Sequence, residues 1–461
     1  MPSRRQVLAA GSLTLSILAG CTDDGTQTPS ERQHDSTETR PRTTTRPTVT
    51  ETGPTETDAG EADDEPASWG PSWSLAPDIG ALEALVRHDG VLYGLFNDTE
   101  SGSTVARIDP ANERLAWQRE LDGVAAEPFL TRENTSEQSD VTVVDGTVYA
   151  VTRARADYEW TALHALDAET GSHSWSVQRE RKMALVGVTD GTVVAAGEEF
   201  FENDSLHSAP EEPLRTVCYG LDSETGSVRW TRDFTGVDAA TAHAGGVAVG
   251  NTDGVTRLDA AGGRQWTVSM PAPLEIVTFG DAVVLRTETI DSYRLRAFDA
   301  DRTERWSRDH DVDNLLVGDG QLYGLGHETV ALDTDGTVAW QVDVRSLQTL
   351  VGPNGETLYA RSGRPSLGQV DAYALPSGDR RFRYDSPAGY VRPIAATDGT
   401  VVLEAYAPDP RGFMTLYAVD ATSGEQLGVY WTDDSIHTAV SLGDSGYVGI
   451  GDRLLAFDSP A

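Results

Sequence analysis

The chain has 461 residues, 73 of them acidic and 36 basic, and a formal net charge of −37. Lys182 is its only lysine; the other basic residues are arginine. So acidic a molecule excludes DNA, RNA and anionic membrane faces as partners, because all would repel it. Hydrophobic residues at 38%, with ten Trp and fourteen Tyr, still suffice for a core, so the charge reads as an acidic coat on a folded protein. Poverty in lysine beside abundant Asp and Glu fits a protein working in molar salt, where a Debye length of about 3 Å screens self-repulsion.

Residues 1–21 read as an export signal. Ser3-Arg4-Arg5-Gln6-Val7-Leu8 carries the twin arginines Arg4 and Arg5, and an apolar run from Val7 to Ala19 follows. That run is shorter than the roughly 20 apolar residues a membrane-spanning helix needs. Leu18-Ala19-Gly20-Cys21 resembles a lipobox, in which small residues admit the signal peptidase and the cysteine thiol receives lipid. The combination is similar to twin-arginine lipoproteins of haloarchaeal type. It implies lipidation at Cys21 and a place on the extracellular face of the cytoplasmic membrane. One acyl chain anchors only marginally, at roughly 0.8 kcal/mol per buried methylene, so a second chain is expected.

Residues 22–68 are rich in Thr, Pro, Asp, Glu, Ser and Gly and show no apolar periodicity. Such a stretch cannot offset an ordering entropy of roughly 1–2 kcal/mol per residue and is expected to be a disordered tether. Its composition permits O-glycosylation and suits either a spacer through a surface layer or a plain linker. With Cys21 committed to lipid, Cys218 stands alone in the apolar run Thr216-Val217-Cys218-Tyr219. It is expected to be a buried small hydrophobe, in a domain with no internal disulfide.

From residue 69 onward two motifs alternate. The first is a β-rich run, a tight turn and a second β-rich run, with turns at Asp89-Gly90, Asp145-Gly146, Asp190-Gly191, Asp319-Gly320, Asn354-Gly355 and Asp398-Gly399. Looser copies lie at Gly245-Gly246, Gly280-Asp281 and Asp444-Ser445-Gly446. Asp-Gly and Asn-Gly tolerate the positive φ of a two-residue hairpin. The second motif is clearest at Ala165–Trp175 and Gly220–Trp230, with Asp167, Gly171 and Trp175 matched by Asp222, Gly226 and Trp230. Looser copies end at Trp117, Trp266, Trp306 and Trp340; Phe382 replaces Trp in the next, and the Asp420–Gly428 copy has lost its aromatic. The Asp carboxylate is suited to accept turn amides, Gly to a left-handed backbone, and the large ring to wedging between neighbouring sheets.

Units recur every 35–58 residues, each with about four strands and no convincing helix, as in a β-propeller. The last unit lacks its Trp strand, while Ser72-Trp73-Ser74 forms a lone one near residue 69, so Trp73 is expected to complete the final blade. The pattern Ala-x-Asp-x-x-Thr-Gly-x-x-x-Trp, complete at Ala165–Trp175, resembles the pyrroloquinoline-quinone-type (PQQ-like) propeller repeat family over residues 69–461. The resemblance implies an all-β propeller of four-stranded blades and favours eight of them, whereas the turns count to nine; eight is the expectation.

Quinone-dependent dehydrogenases share this repeat. The resemblance would imply adjacent cysteines at the quinone, a calcium site and a catalytic Asp, yet the sequence has no Cys-Cys pair. No cofactor, metal or catalytic residue is therefore assigned. Gly443-Asp444-Ser445-Gly446 mimics a serine-protease segment but falls on a repeat turn, without a companion base or acid. Asp309-His310-Asp311-Val312-Asp313-Asn314 begins like a calcium loop but has Asn314 where glycine is required and Gly320 where Glu is. The nine His residues show no zinc-ligand spacing. Asn97, Asn134 and Asn203 fit the N-glycosylation rule and are expected in surface inserts. The longest insert, Glu198 to Pro213, holds the aromatic pair Phe200-Phe201, suited to loop packing or to a partner contact.

The expectation for function is a lipid-anchored extracellular propeller, monomeric in its folded domain, acting without catalysis as a scaffold for a surface protein or glycan. In layout it resembles the lipoprotein propeller that scaffolds bacterial outer-membrane protein assembly. A quinoprotein dehydrogenase and a glycan-binding module are the alternatives.

Overall fold

The computed structural model describes residues 69–98, 102–126, 141–154, 160–198, 215–289, 292–318, 320–342, 349–352, 355–362, 368–375, 377–409 and 412–459. All belong to one compact unit. They form nine antiparallel sheets: blades 1 to 8 span 81–121, 124–179, 182–235, 239–269, 273–310, 312–342, 349–385 and 390–432, and blade 9 spans 436–458. Eight blades are plain four-stranded sheets. In blade 2 the first strand is broken into Val124–Ala125 and Val141–Val144, and both pieces pair with Thr147–Arg153, so its architecture is the same. Blade 9 takes its fourth strand from the other end of the chain. Trp73–Leu75 pairs antiparallel with Arg453–Asp458, Trp73 opposite Ala456 and Leu75 opposite Leu454.

The hairpin chemistry is local. In blades 1, 2 and 3 the flanking residues His88 and Val91, Val144 and Thr147, and Thr189 and Thr192 are paired, leaving two residues to turn. Those residues adopt positive φ, for example 48° and 76° at Asp89 and Gly90, as this hairpin class requires. First strands of adjacent blades contact one another, which places them around the ring axis, with the fourth strands outermost.

The core is divided among the seams between blades. Nine buried apolar clusters are present, and each draws on two adjacent blades. One joins blade 9 to blade 1 through Leu454, Tyr447, Leu82 and Ile108, so the ring closes. The expected eight blades are therefore corrected to nine. Every counted turn carries its own sheet, and every sheet has an apolar seam on both sides.

Candidate functional site

The motif residues lie at the seams. The Asp167 carboxylate accepts the Thr170 amide at 2.7 Å, and that of Asp222 accepts the Thr225 amide at 2.9 Å. Thr225 and Arg229 hydrogen bonds hold Asp222 down at about 2. Gly171 and Gly226 both sit at a φ of 69°. Above each lies an outer-strand indole of the preceding blade. A Cβ on Gly171 would stand 2.6 Å from Trp117, and one on Gly226 2.7 Å from Trp175. Each indole N–H also donates across its seam: Trp117 to the Ala168 carbonyl, Trp175 to Ser223, Trp230 to Ala260, Trp266 to Ala300 and Trp306 to Thr334, at 2.9–3.2 Å. Trp340 covers Gly378, and Phe382 covers Gly424, without such a bond. In blade 5 Arg302 takes the glycine's place, at a φ of 76°.

Two further seams depart from this rule, and both involve residues 69–75. In blade 8 the aromatic position is Gly428, opposite Ala418. Trp69 fills the space. Its amide donates to the Val429 carbonyl at 3.0 Å, its indole N–H to the Asp458 carbonyl at 3.2 Å, and its ring lies 4.5 Å from that of Phe457. Sequence reasoning missed Trp69; the loss of the aromatic from the Asp420–Gly428 copy was the available signal.

The second departure opens a cleft. Between blades 9 and 1, Trp73 lies 5.9 Å from Tyr447, as the other outer aromatics lie from their tyrosines. The facing turn of blade 1 has no glycine. Pro110–Asn112 forms a 3-10 turn capped by Asp109, whose carboxylate accepts both Asn112 N–H groups, and Glu113 occupies the left-handed position at φ 52°. A cavity of 740 Å³ remains, lined by Ser72, Trp73, Ser445, Tyr447 and Asp458 on one side and by Val91, Ile108, Asp109 and Glu113 on the other. The Trp73 indole N–H finds no acceptor among the described residues. Burial raises the Tyr447 phenol, while the Asn112 bonds lower the Asp109 carboxyl. Aromatic faces flanked by hydroxyl and carboxylate oxygens suit a sugar ring or a basic side chain. The Ser445 hydroxyl donates a hydrogen bond to the Asp458 carboxylate, an arrangement without the imidazole that activates a serine nucleophile.

Cys218 is fully buried in the third strand of blade 3, and desolvation pushes its thiol up to about 12. The stretch Asp309–Asn314 runs from the last strand of blade 5 into the first of blade 6, with Asp309 held by Arg294 and His310 by Glu328. No group of three His, Cys, Asp or Glu residues converges on a metal position among the described residues. Asn97, expected in an insert, lies within the strand Val91–Asp98, paired with Ala81 and Ser103. Arg4, Arg5, Cys21, Asn134, Asn203 and the Phe200-Phe201 pair lie outside the described residues.

A family model of PQQ-type repeats, described as outer membrane protein assembly factor BamB, matches residues 73–233 and 326–459. The chain belongs to this PQQ-like, BamB-type repeat family. The family embraces both scaffolds and quinoprotein dehydrogenases. No curated protein matches the sequence. Among solved structures the chain is similar to BamB from Moraxella catarrhalis, at 16% identity and a TM-score of 0.46, covering 85% of this chain and 99% of that one. It is also similar to the quinohemoprotein alcohol dehydrogenase from Comamonas testosteroni, at 13% identity and a TM-score of 0.47, covering 86% and 77%. Sqt1 from Saccharomyces cerevisiae is similar at 10% identity and a TM-score of 0.47, covering 86% and 100%.

Proposed function

We propose that this PQQ-like propeller is a lipid-anchored, extracellular, non-enzymatic scaffold that binds a surface protein or glycan. The cleft between blades 9 and 1 carries the reading. The indoles of Trp117, Trp175, Trp230, Trp266 and Trp306 are engaged in seam bonds, whereas Trp73, Tyr447, Ser72 and Asp109 border open space. A ring stapled at its seams presents such a cleft rigidly, which lowers the ordering cost of binding. The scaffold role of a BamB-type relative is in keeping with this reading; its outer-membrane partner is not carried over.

The test is affinity capture at the cell surface in native salt, alongside an array of surface polysaccharides. Wild type is expected to retain a protein or glycan that Tyr447→Ala and Asp109→Asn release. Stoichiometric uptake of the quinone with calcium, followed by oxidation of an alcohol or sugar, would overturn the non-enzymatic reading. For the anchor, mass spectrometry of the mature N-terminus is expected to find lipid on Cys21, and Cys21→Ser to release the protein to the medium. Any other N-terminus refutes the anchor.

A further inference from the structure

In blades 1, 2, 6, 7 and 9 the second strand places a tyrosine beside the outer-strand aromatic, as in the pairs Tyr149–Trp175 and Tyr323–Trp340 at 6.0 Å. Blade 4 is different. Its second strand has Ala248 at this register, and its third strand has Arg257, directly between Ala248 and Trp266. The register-equivalent residues opposite Trp175, Trp306 and Trp340 are Ala165, Ala297 and Ala331. Blade 1 carries an arginine at the same register, Arg107 between Tyr93 and Trp117, but its Nη1 donates to the Glu169 carbonyl at 3.4 Å.

Arg257 is only 7% exposed, and its Nε and Nη1 are buried without an acceptor. Burial lowers its pKa, and no carboxylate of the described residues offsets its charge. His243, 8% exposed, lies on the same face of the sheet. It pairs with Gly246, Gly246 pairs with Asp259, and Arg257 is two residues along from Asp259, so the sheet floor between the two side chains is Gly246 and Ala248. His243 Nδ1 bonds the Ala244 carbonyl at 2.8 Å, and its Nε2 is buried without a partner. Blade 5 covers this face through Val283 and Phe298, and Thr278 donates to the Ala242 carbonyl beside it. A buried donor left unpaired keeps its full desolvation penalty, which is larger when the group is charged. Such groups call for an ion or a water that the protein chain does not supply.

We propose that blades 4 and 5 hold a small inorganic anion of the halide class against Arg257, with His243 as the opposite wall. A monatomic ion asks least of the packing, because Val283 and Phe298 of blade 5 cover the face on which a glycine and an alanine lie between the two side chains. The charge favours an anion over water, because a neutral molecule would satisfy the N–H groups and leave the buried positive charge uncompensated. Burial and the Arg257 charge disfavour a protonated His243, and an anion at Nε2 opposes both, favouring the ring with protons on both nitrogens so that Nε2 donates.

The experiment uses the intact chain. Thermal unfolding is followed in sodium chloride and in sodium gluconate at one fixed ionic strength, for wild type and Arg257→Leu, and crystals of wild type are grown in sodium bromide. Wild type is expected to melt higher in chloride, and Arg257→Leu to lose the part of that difference that comes from the site. Bromide is expected as an anomalous peak within hydrogen-bonding distance of Arg257. A difference between the salts that is unchanged in Arg257→Leu overturns the proposal. Bromide crystals showing water or nothing beside Arg257 overturn it independently, whether or not the variant folds.

Discussion

Trp69 is a staple supplied from outside its blade, and truncating it gives a sharp test. The indole is 9% exposed, packs 4.5 Å from Phe457 and donates to the Asp458 carbonyl. A buried ring of roughly 200 Å², at about 25 cal/mol per Å², sets an upper limit near 5 kcal/mol, and the hydrogen bond adds about 1 kcal/mol. Trp69 lies outside any strand and its surroundings can collapse into the space, so Trp69→Ala is expected to cost about 3–4 kcal/mol, within the usual range for such truncations. A ring of this size unfolds with an entropy of about 0.8 kcal/mol/K, from roughly 2.1 cal/mol/K per residue, so the melting temperature should fall by about 4–5 °C. Differential scanning calorimetry at constant molar salt measures it. Trp69→Phe keeps the ring contact, loses the N–H and should fall by only about 1 °C, in line with one hydrogen bond. A Trp69→Ala protein that melts with wild type would refute the staple, and with it the idea that the N-terminal segment repairs blade 8.

Gly171→Ala combines a left-handed backbone with a Cβ 2.6 Å from Trp117; urea titration is expected to show a loss of about 2–4 kcal/mol, from conformational strain plus overpacking. His164, buried beside Thr152 and 6.0 Å from His173, is lowered to about 4 by burial first and by the His173 charge second, with Asp122 acting in the opposite sense. Its folded pKa lies below its unfolded one, so stability is full above about pH 6.5 and falls as the pH drops toward 4, by up to about 3 kcal/mol. Melting curves across that window should be steeper in pH for wild type than for His164→Gln, although buried His243, shifted the same way, keeps some slope in both. The acidic coat predicts cooperative unfolding as salt drops below about 1 M and the Debye length grows toward 10 Å at 0.1 M; circular dichroism during dilution measures it, and full structure at 0.1 M would refute the argument.

The hairpins and the closing role of Trp73 were legible in the sequence because both are local signals. An Asp-Gly pair needs only its own two neighbours, and a Trp strand lacking a blade points to a blade lacking a Trp strand. Ring size was less legible. Trp117 over Gly171 and Trp175 over Gly226 make the same joint whatever the number of joints, so the motif carries no count, and the turn tally was the better guide than the family habit. Trp69 was hidden for another reason. Its donor bond reaches Asp458 across 389 positions, and nothing near residue 69 signals that Gly428 left a space. Asn97 looked like an insert because the strand Val91–Asp98 runs on past its apolar stretch. The cleft beside Trp73 and the unpaired Arg257 depend on what a neighbouring blade fails to provide, and a single repeat does not record that.

The shared sheet of blade 9 imposes a timetable on synthesis. Ser72 donates to the Ala456 carbonyl, 384 positions later. A ribosome adding roughly 5–20 residues per second needs on the order of 20–80 s to connect them. Through that interval the early blades form an arc with an open end, and the side of blade 1 that will meet blade 9, including Leu82, Phe96 and Ile108, has no neighbour. The strands of blade 9 are those that hide it. Loss of Arg453–Asp458 would therefore strip Leu454 and Ala456 from this seam, leave Trp73–Leu75 without its paired strand and turn a finished ring into an aggregation-prone one.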